Sequence, residues 1–198
     1  SRGLGDVYKR QVQGDREHHG GLFKAVYAYS RETREELARL EGHTGQWADG
    51  FFGENLVIAG ADASEVVIGE RWKVGSAELE GTCQRTPCAT FSARIGDRSF
   101  PRRFTEFGKP GAYFRVVKEG EISAGDGIEV LVRPEHGVTI GDAFRGLNVE
   151  QAAALLDWSE ATNTVLYLSL ARACLTAVAR EGQSREFPAT LMSDGRGN

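Results

Sequence analysis

The sequence predicts a mainly β fold with peripheral α: an antiparallel β-barrel followed by C-terminal helices. Three observations carry this. Short apolar segments with a period of two recur along the first two thirds of the chain. The 198 residues hold 25 glycines and only 5 prolines, nearly double the usual ~7% of glycine, with no low-complexity tract, which is a signature of many tight turns. After His136 the pattern becomes helical.

Taken in order, residues 22–29 put Phe23, Ala25, Tyr27 and Tyr29 on one side and Leu22, Lys24, Val26 and Ala28 on the other, which predicts a strand buried on at least one face. Residues 30–41 change to a helical period: Ser30 can cap, Thr33 and Glu36 have capping-box spacing, Leu37 and Leu40 give an apolar edge, and Gly42 stops the helix. Short strands are expected at 56–58 and 64–68. A hairpin about Gly75-Ser76 sets Trp72 and Val74 against Ala77 and Leu79. Strands follow at 113–118 and 128–132. Residues 91–111 are dense in charge (Arg94, Asp97, Arg98, Arg102, Arg103, Glu106, Lys109) and read as an exposed loop across the barrel mouth or as a substrate-selecting lid with a cationic edge. A short helix is expected at 139–145 and another starting at Asn148, with Gln151 completing its cap. Leu168, Ala171, Leu175 and Val178 form a helical stripe that carries Cys174 into the core.

Composition excludes several classes of function. A net charge of −4 argues against binding a nucleic-acid backbone, no apolar run reaches the length of a membrane span, and no signal-peptide pattern is present, so the expected compartment is the cytoplasm. Three cysteines without even spacing fit reduced thiols better than a disulfide framework.

Two stretches carry candidate chemistry. In Phe51-Phe52-Gly53-Glu54-Asn55-Leu56, Gly53 is free to take a positive φ, and Glu54 and Asn55 can then aim inward from a sharp turn. In Arg85-Thr86-Pro87-Cys88, the proline stiffens the backbone before a thiol, and Arg85 could lower its pKa and hold negative charge nearby. Either residue also has a plain reading: Asn55 closes a turn, and Cys88 is a small buried hydrophobe. Upstream, His19-Gly20-Gly21 offers backbone N–H groups that an anion can approach, or is simply a turn.

The order and spacing of His19-Gly20-Gly21, Phe52-Gly53-Glu54-Asn55-Leu56, Val67-Ile68-Gly69-Glu70 and Arg85-Thr86-Pro87-Cys88 resemble the MOSC family, named for the C-terminal domain of molybdenum cofactor sulfurases, and within it the bacterial N-hydroxylaminopurine-resistance reductases. The resemblance implies a MOSC-type β-barrel over 14–146, after an atypical or truncated N-terminus at 1–13 and before a helical extension and tail at 147–198. It implies the molybdenum cofactor, with molybdopterin held by His19, Gly20, Gly21, Lys24 and Arg85, and Cys88 as metal ligand. Glu54 and Asn55 would share the catalytic work with Cys88, Glu54 as a proton donor. The implied activity is reduction of a small N-hydroxylated base or amine with electrons from a separate reductase. The alternative is a non-redox domain that carries sulfur on Cys88 or presents the cofactor to a partner. Relatives have Gln-Pro-Arg where this chain has Cys83-Gln84-Arg85, and the extra thiol leaves open a zinc site built from Cys83, Cys88 and His18 or His19.

Overall fold

A computed structural model describes residues 21–43, 45 and 47–180, so His18, His19 and Gly20 lie outside the described residues. Six strands form one sheet in the order β2-β1-β5-β4-β3-β6. They are β1 (Val26–Ser30), β2 (Leu56–Ile58), β3 (Arg71–Val74), β4 (Ala77–Cys83), β5 (Ala112–Lys118) and β6 (Ile128–Val132).

The expectation of a purely antiparallel barrel is corrected. The sheet is mixed and, among the described residues, open, with β2 and β6 as its edges. β1 and β2 run parallel, Ala28 opposite Leu56, while the other pairings are antiparallel. The cause is the crossover: β1 leads into helix α1 (Arg31–Leu40) and a long return before β2, and a connection of that kind brings the next strand back in the same direction.

The hairpin forms as expected, with Trp72 opposite Leu79 and Val74 opposite Ala77. Two other strand boundaries shift. Leu22–Lys24 is a 3-10 turn ahead of β1, and the expected strand at 64–68 is instead a 3-10 turn, Ala63–Glu65, followed by a bridge between Val67 and Thr139. In α1 the hydroxyl of Ser30 makes no capping bond; it accepts from the N–H of Ala63 at 2.7 Å, tying the crossover to the sheet.

Helices are only partly C-terminal. The region expected as a loop at 91–111 contains α2 (Ala89–Ile95) and α3 (Phe100–Phe107), which end on Gly96 and Gly108 in the left-handed conformation. Their charges face solvent while Phe91, Phe100 and Phe104 are fully buried. Each such burial is worth roughly 1.5–3 kcal/mol relative to exposure, which is why the segment folds down instead of forming a free lid. Three further helices follow: α4 (Ile140–Arg145) with a Thr139–Asp142 capping box, α5 (Val149–Thr162) with an Asn148–Gln151 box, and α6 (Leu168–Arg180), where Cys174 is buried as expected.

The alternation of β1 organises the core. Tyr27 and Tyr29 enter an aromatic cluster with Leu37, Trp47, Phe52, Phe91, Phe100 and Phe104, while Ala28 joins Trp72, Leu79, Phe114 and residues of α5 and α6 in the other cluster. Gly69, at φ +84, lets the chain pass against α5: a Cβ there would sit 2.2 Å from the Trp158 ring.

Candidate functional site

The site is built along the end of β4 and the aromatic face of the sheet. Gly53 takes φ +81, as its place in the turn requires. The turn then closes on Glu54, whose side chain is completely buried and accepts from Arg34 Nη1, from the N–H of Gly50 and from the N–H of Phe52, each at 2.9 Å. Arg34 reaches it from α1 with a side chain only 8% exposed and also bonds Asp49. A carboxylate holding two N–H donors of its own loop and a guanidinium from α1 fastens that loop to the helix, a role not apparent from the sequence. Asn55 lies at the surface, where its Oδ1 accepts from the N–H of Tyr27 at 2.8 Å and its own N–H donates to the Tyr27 carbonyl at 2.8 Å, so it extends the β1–β2 pairing by one step.

The fastened loop positions Arg85. Its Nη1 donates to the Phe52 carbonyl, and the guanidinium lies 5.0 Å from the Tyr27 ring centre and 4.4 Å from that of Phe91. The flat cation is thus clamped between two rings. Its Nε and the neighbouring Gln84 Oε1 are buried without a hydrogen-bond partner. Three residues on, Cys88 stands in extended conformation just before α2, half-buried against the aromatic cluster, with its carbonyl accepting from the N–H of Ser92 at 3.0 Å. Its thiol makes no capping bond to the helix.

Tyr113, on β5, links the two halves of the site. Its ring is 4.9 Å from that of Tyr27 and lies under the Lys24 ammonium at 5.6 Å. Burial pushes its hydroxyl above the usual tyrosine range, with Arg85 and Lys24 pulling against it and Cys83 and Cys88 adding to the rise. Lys24 comes from the 3-10 turn before β1, and Gly21 at its head is exposed with φ +98. Cys83 is different in kind from Cys88: it is 1% exposed, and burial pushes its thiol up to about 12, so it stays protonated at neutral pH. That disfavours it as a zinc ligand, and among the described residues no three His, Cys, Asp or Glu side chains gather as a metal site.

The structure therefore brings Arg85, Cys88, Lys24 and the Glu54–Asn55 turn into one neighbourhood through Tyr27, Phe52, Phe91 and Tyr113. Of the aromatic members, Phe52 lies in the motif that carries Glu54 and Asn55, whereas Tyr27, Phe91 and Tyr113 were not singled out from sequence, although the alternation of β1 already placed Tyr27 on one face.

A family model described as the MOSC domain matches residues 15–129. The chain belongs to the MOSC family. Among relatives, it is 31% identical over 147 residues to the protein YflK of Bacillus subtilis (strain 168), a match covering 70% of this chain and 64% of that one. It is 28% identical over 158 residues to a protein of Gibberella moniliformis (strain M3125 / FGSC 7600) named "Reductase", covering 78% of this chain but 28% of that protein. The chain thus spans less than two thirds of the length of either. In fold, this MOSC chain is similar to the crystal structure of YiiM from Geobacillus stearothermophilus, with a TM-score of 0.67, 24% identity and 80% of each chain covered.

Proposed function

We propose that the chain is a molybdenum-cofactor-binding protein that reduces N-hydroxylated bases or amines, with Cys88 as the metal ligand and electrons supplied by a separate reductase. The observation that carries this reading is the position of Cys88: of the three thiols it alone is not buried, and it stands three residues after an arginine clamped between two aromatic rings. Family membership and a reductase-named relative support the same direction.

The donor set fits the cofactor. A thiolate is the side chain suited to a soft, thiophilic metal. The unpartnered Arg85 Nε and Gln84 Oε1 give a buried donor and acceptor that a polar ligand would satisfy. When bound, the cofactor supplies the two-electron chemistry. The chain's own residues do the rest. Cys88 would hold the metal, Arg85 and Lys24 would hold the pterin phosphate together with His19, Gly20 and Gly21, and the Asn55 amide would orient the substrate. Glu54, if it donates a proton, would have to release a donor of its own loop first, so its bonds to Arg34, Gly50 and Phe52 make positioning its stronger role.

The test is reduction of N-hydroxylaminopurine by protein purified from a host that makes the cofactor, with Cys88→Ser as control. Activity in the wild type that is lost in the variant supports the reading. Persulfide on Cys88 in metal-free, inactive wild-type protein would replace it with the sulfur carrier.

A further inference from the structure

The helical C-terminal part has no role in the site as described so far, yet one of its side chains reaches Lys24. The Lys24 ammonium lies 4.7 Å from the ring centre of Tyr167, closer than the 5.6 Å to that of Tyr113. The Tyr167 ring also packs on Phe23, with centres 6.0 Å apart, directly beside Lys24 in the 3-10 turn.

The delivery of Tyr167 is tightly specified. Helix α5 ends on Asn163 in the left-handed conformation, at φ 51, the residue type that tolerates it best after glycine. The reversed chain is pinned when Ser159 Oγ donates to the Thr164 carbonyl at 2.6 Å and the Thr164 N–H donates to the Ser159 carbonyl at 2.9 Å. Leu166 is then 2% exposed in the core beneath the sheet, which leaves the next side chain facing the 3-10 turn. On the other side, Thr82 Oγ1 donates to the Phe23 carbonyl and holds that turn on β4. Both partners of the contact are therefore fixed by separate parts of the fold.

We propose that Tyr167 is a positioning residue of the site: it holds the Lys24 ammonium between its own ring and that of Tyr113, poised for an anionic group such as the phosphate of an organic ligand. The α5–α6 turn thereby completes the site. The state of Lys24 agrees with this. Burial works against its charge, but the neighbouring Tyr167 hydroxyl, with Cys83 and Tyr113 adding to it, leaves its pKa above the ordinary lysine value. The proposal rests on the functional reading only in placing Lys24 at the phosphate; the Tyr167–Lys24 contact stands without it.

A double-mutant cycle with inorganic pyrophosphate as the probe tests it, read by calorimetry on the full chain without cofactor. Tyr167→Leu removes the ring from beneath the ammonium, and should weaken pyrophosphate binding about fivefold. In the Lys24→Gln background the same change should do nothing, because Tyr167 acts only through Lys24. The Lys24 side-chain NMR signals should also lose their ring-current displacement in Tyr167→Ala. Equal weakening in both backgrounds, no weakening in either, unmoved Lys24 signals, or wild-type protein that does not bind pyrophosphate would each overturn the proposal. Failure to load molybdenum would instead sink the functional reading and leave this cycle standing.

Discussion

The guanidinium of Arg34 and the carboxylate of Glu54 meet at 2.9 Å with their side chains 8% and 0% exposed, and through that buried pair helix α1 holds the loop whose Phe52 carbonyl aims Arg85. Removing Arg34 leaves the Glu54 carboxylate buried with only the N–H groups of Gly50 and Phe52, and removing Glu54 leaves the buried Arg34 with Asp49 as its remaining counter-charge. Glu54→Ala and Arg34→Ala should each destabilise the fold by about 3–5 kcal/mol, and the double variant by clearly less than the sum. Urea unfolding of the three variants measures this. A cost below ~1 kcal/mol for both single variants would show that the pair is not what holds the loop.

Thiol chemistry separates the three cysteines. Burial pushes both Cys83 and Cys174 up to about 12, while Cys88 is partly exposed. Brief iodoacetamide treatment of the native protein at neutral pH should label Cys88 alone, and urea should release the other two. Mass spectrometry of the digested protein reads the outcome, and native labelling of Cys83 would contradict its placement.

Gly69 allows contact between the sheet and α5: its φ of +84 disfavours any side chain, and an added Cβ would collide with the Trp158 ring. Gly69→Ala should cost about 2 kcal/mol or more, since backbone strain and overpacking add. Trp158→Ala in the same chain should recover part of that loss by removing the clash, as measured by thermal unfolding.

His136 sets a pH limit on stability. Its Nε2 bonds the Ile68 carbonyl and its Nδ1 accepts from the N–H of Val138, both at 3.0 Å, and its ring packs on Trp158. Burial lowers its pKa below the ordinary 6.5, outweighing the Ile68 bond that raises it. The unfolded chain therefore takes up the proton first, so stability is constant above about 6.5 and declines as pH falls through that value, until the folded form is protonated as well. Chemical denaturation between pH 7.5 and 5 should show the decline, and His136→Gln should flatten it.

Much of this was legible in the sequence, for reasons that can be located. The Trp72–Leu79 hairpin, the short helix at 139–145, the cap at Asn148 and the stripe holding Cys174 depend on local periodicity and turn chemistry, which a single segment displays. The parallel β1–β2 pairing was not legible, because direction is set by the crossover through α1 and not by either strand. Helices α2 and α3 were hidden by the charge of residues 91–111. Phe91, Phe100 and Phe104 were visible, but that they converge on Phe52 is known only once the chain is folded. For the site, the motifs marked Glu54, Arg85 and Cys88, whereas the Arg34 counter-ion and the Tyr27, Tyr113 and Tyr167 rings come from distant segments with no motif of their own.

The proposed ligation of a cofactor-bound metal by the Cys88 sulfur, beside Arg85, has a direct readout. Molybdenum and pterin content, measured on wild-type protein and on Cys88→Ser purified from a cofactor-producing host, tests it most directly. Near-stoichiometric molybdenum and pterin in the wild type and little molybdenum in the variant are the expected outcome. Equal molybdenum in both proteins, or none in either, would contradict it.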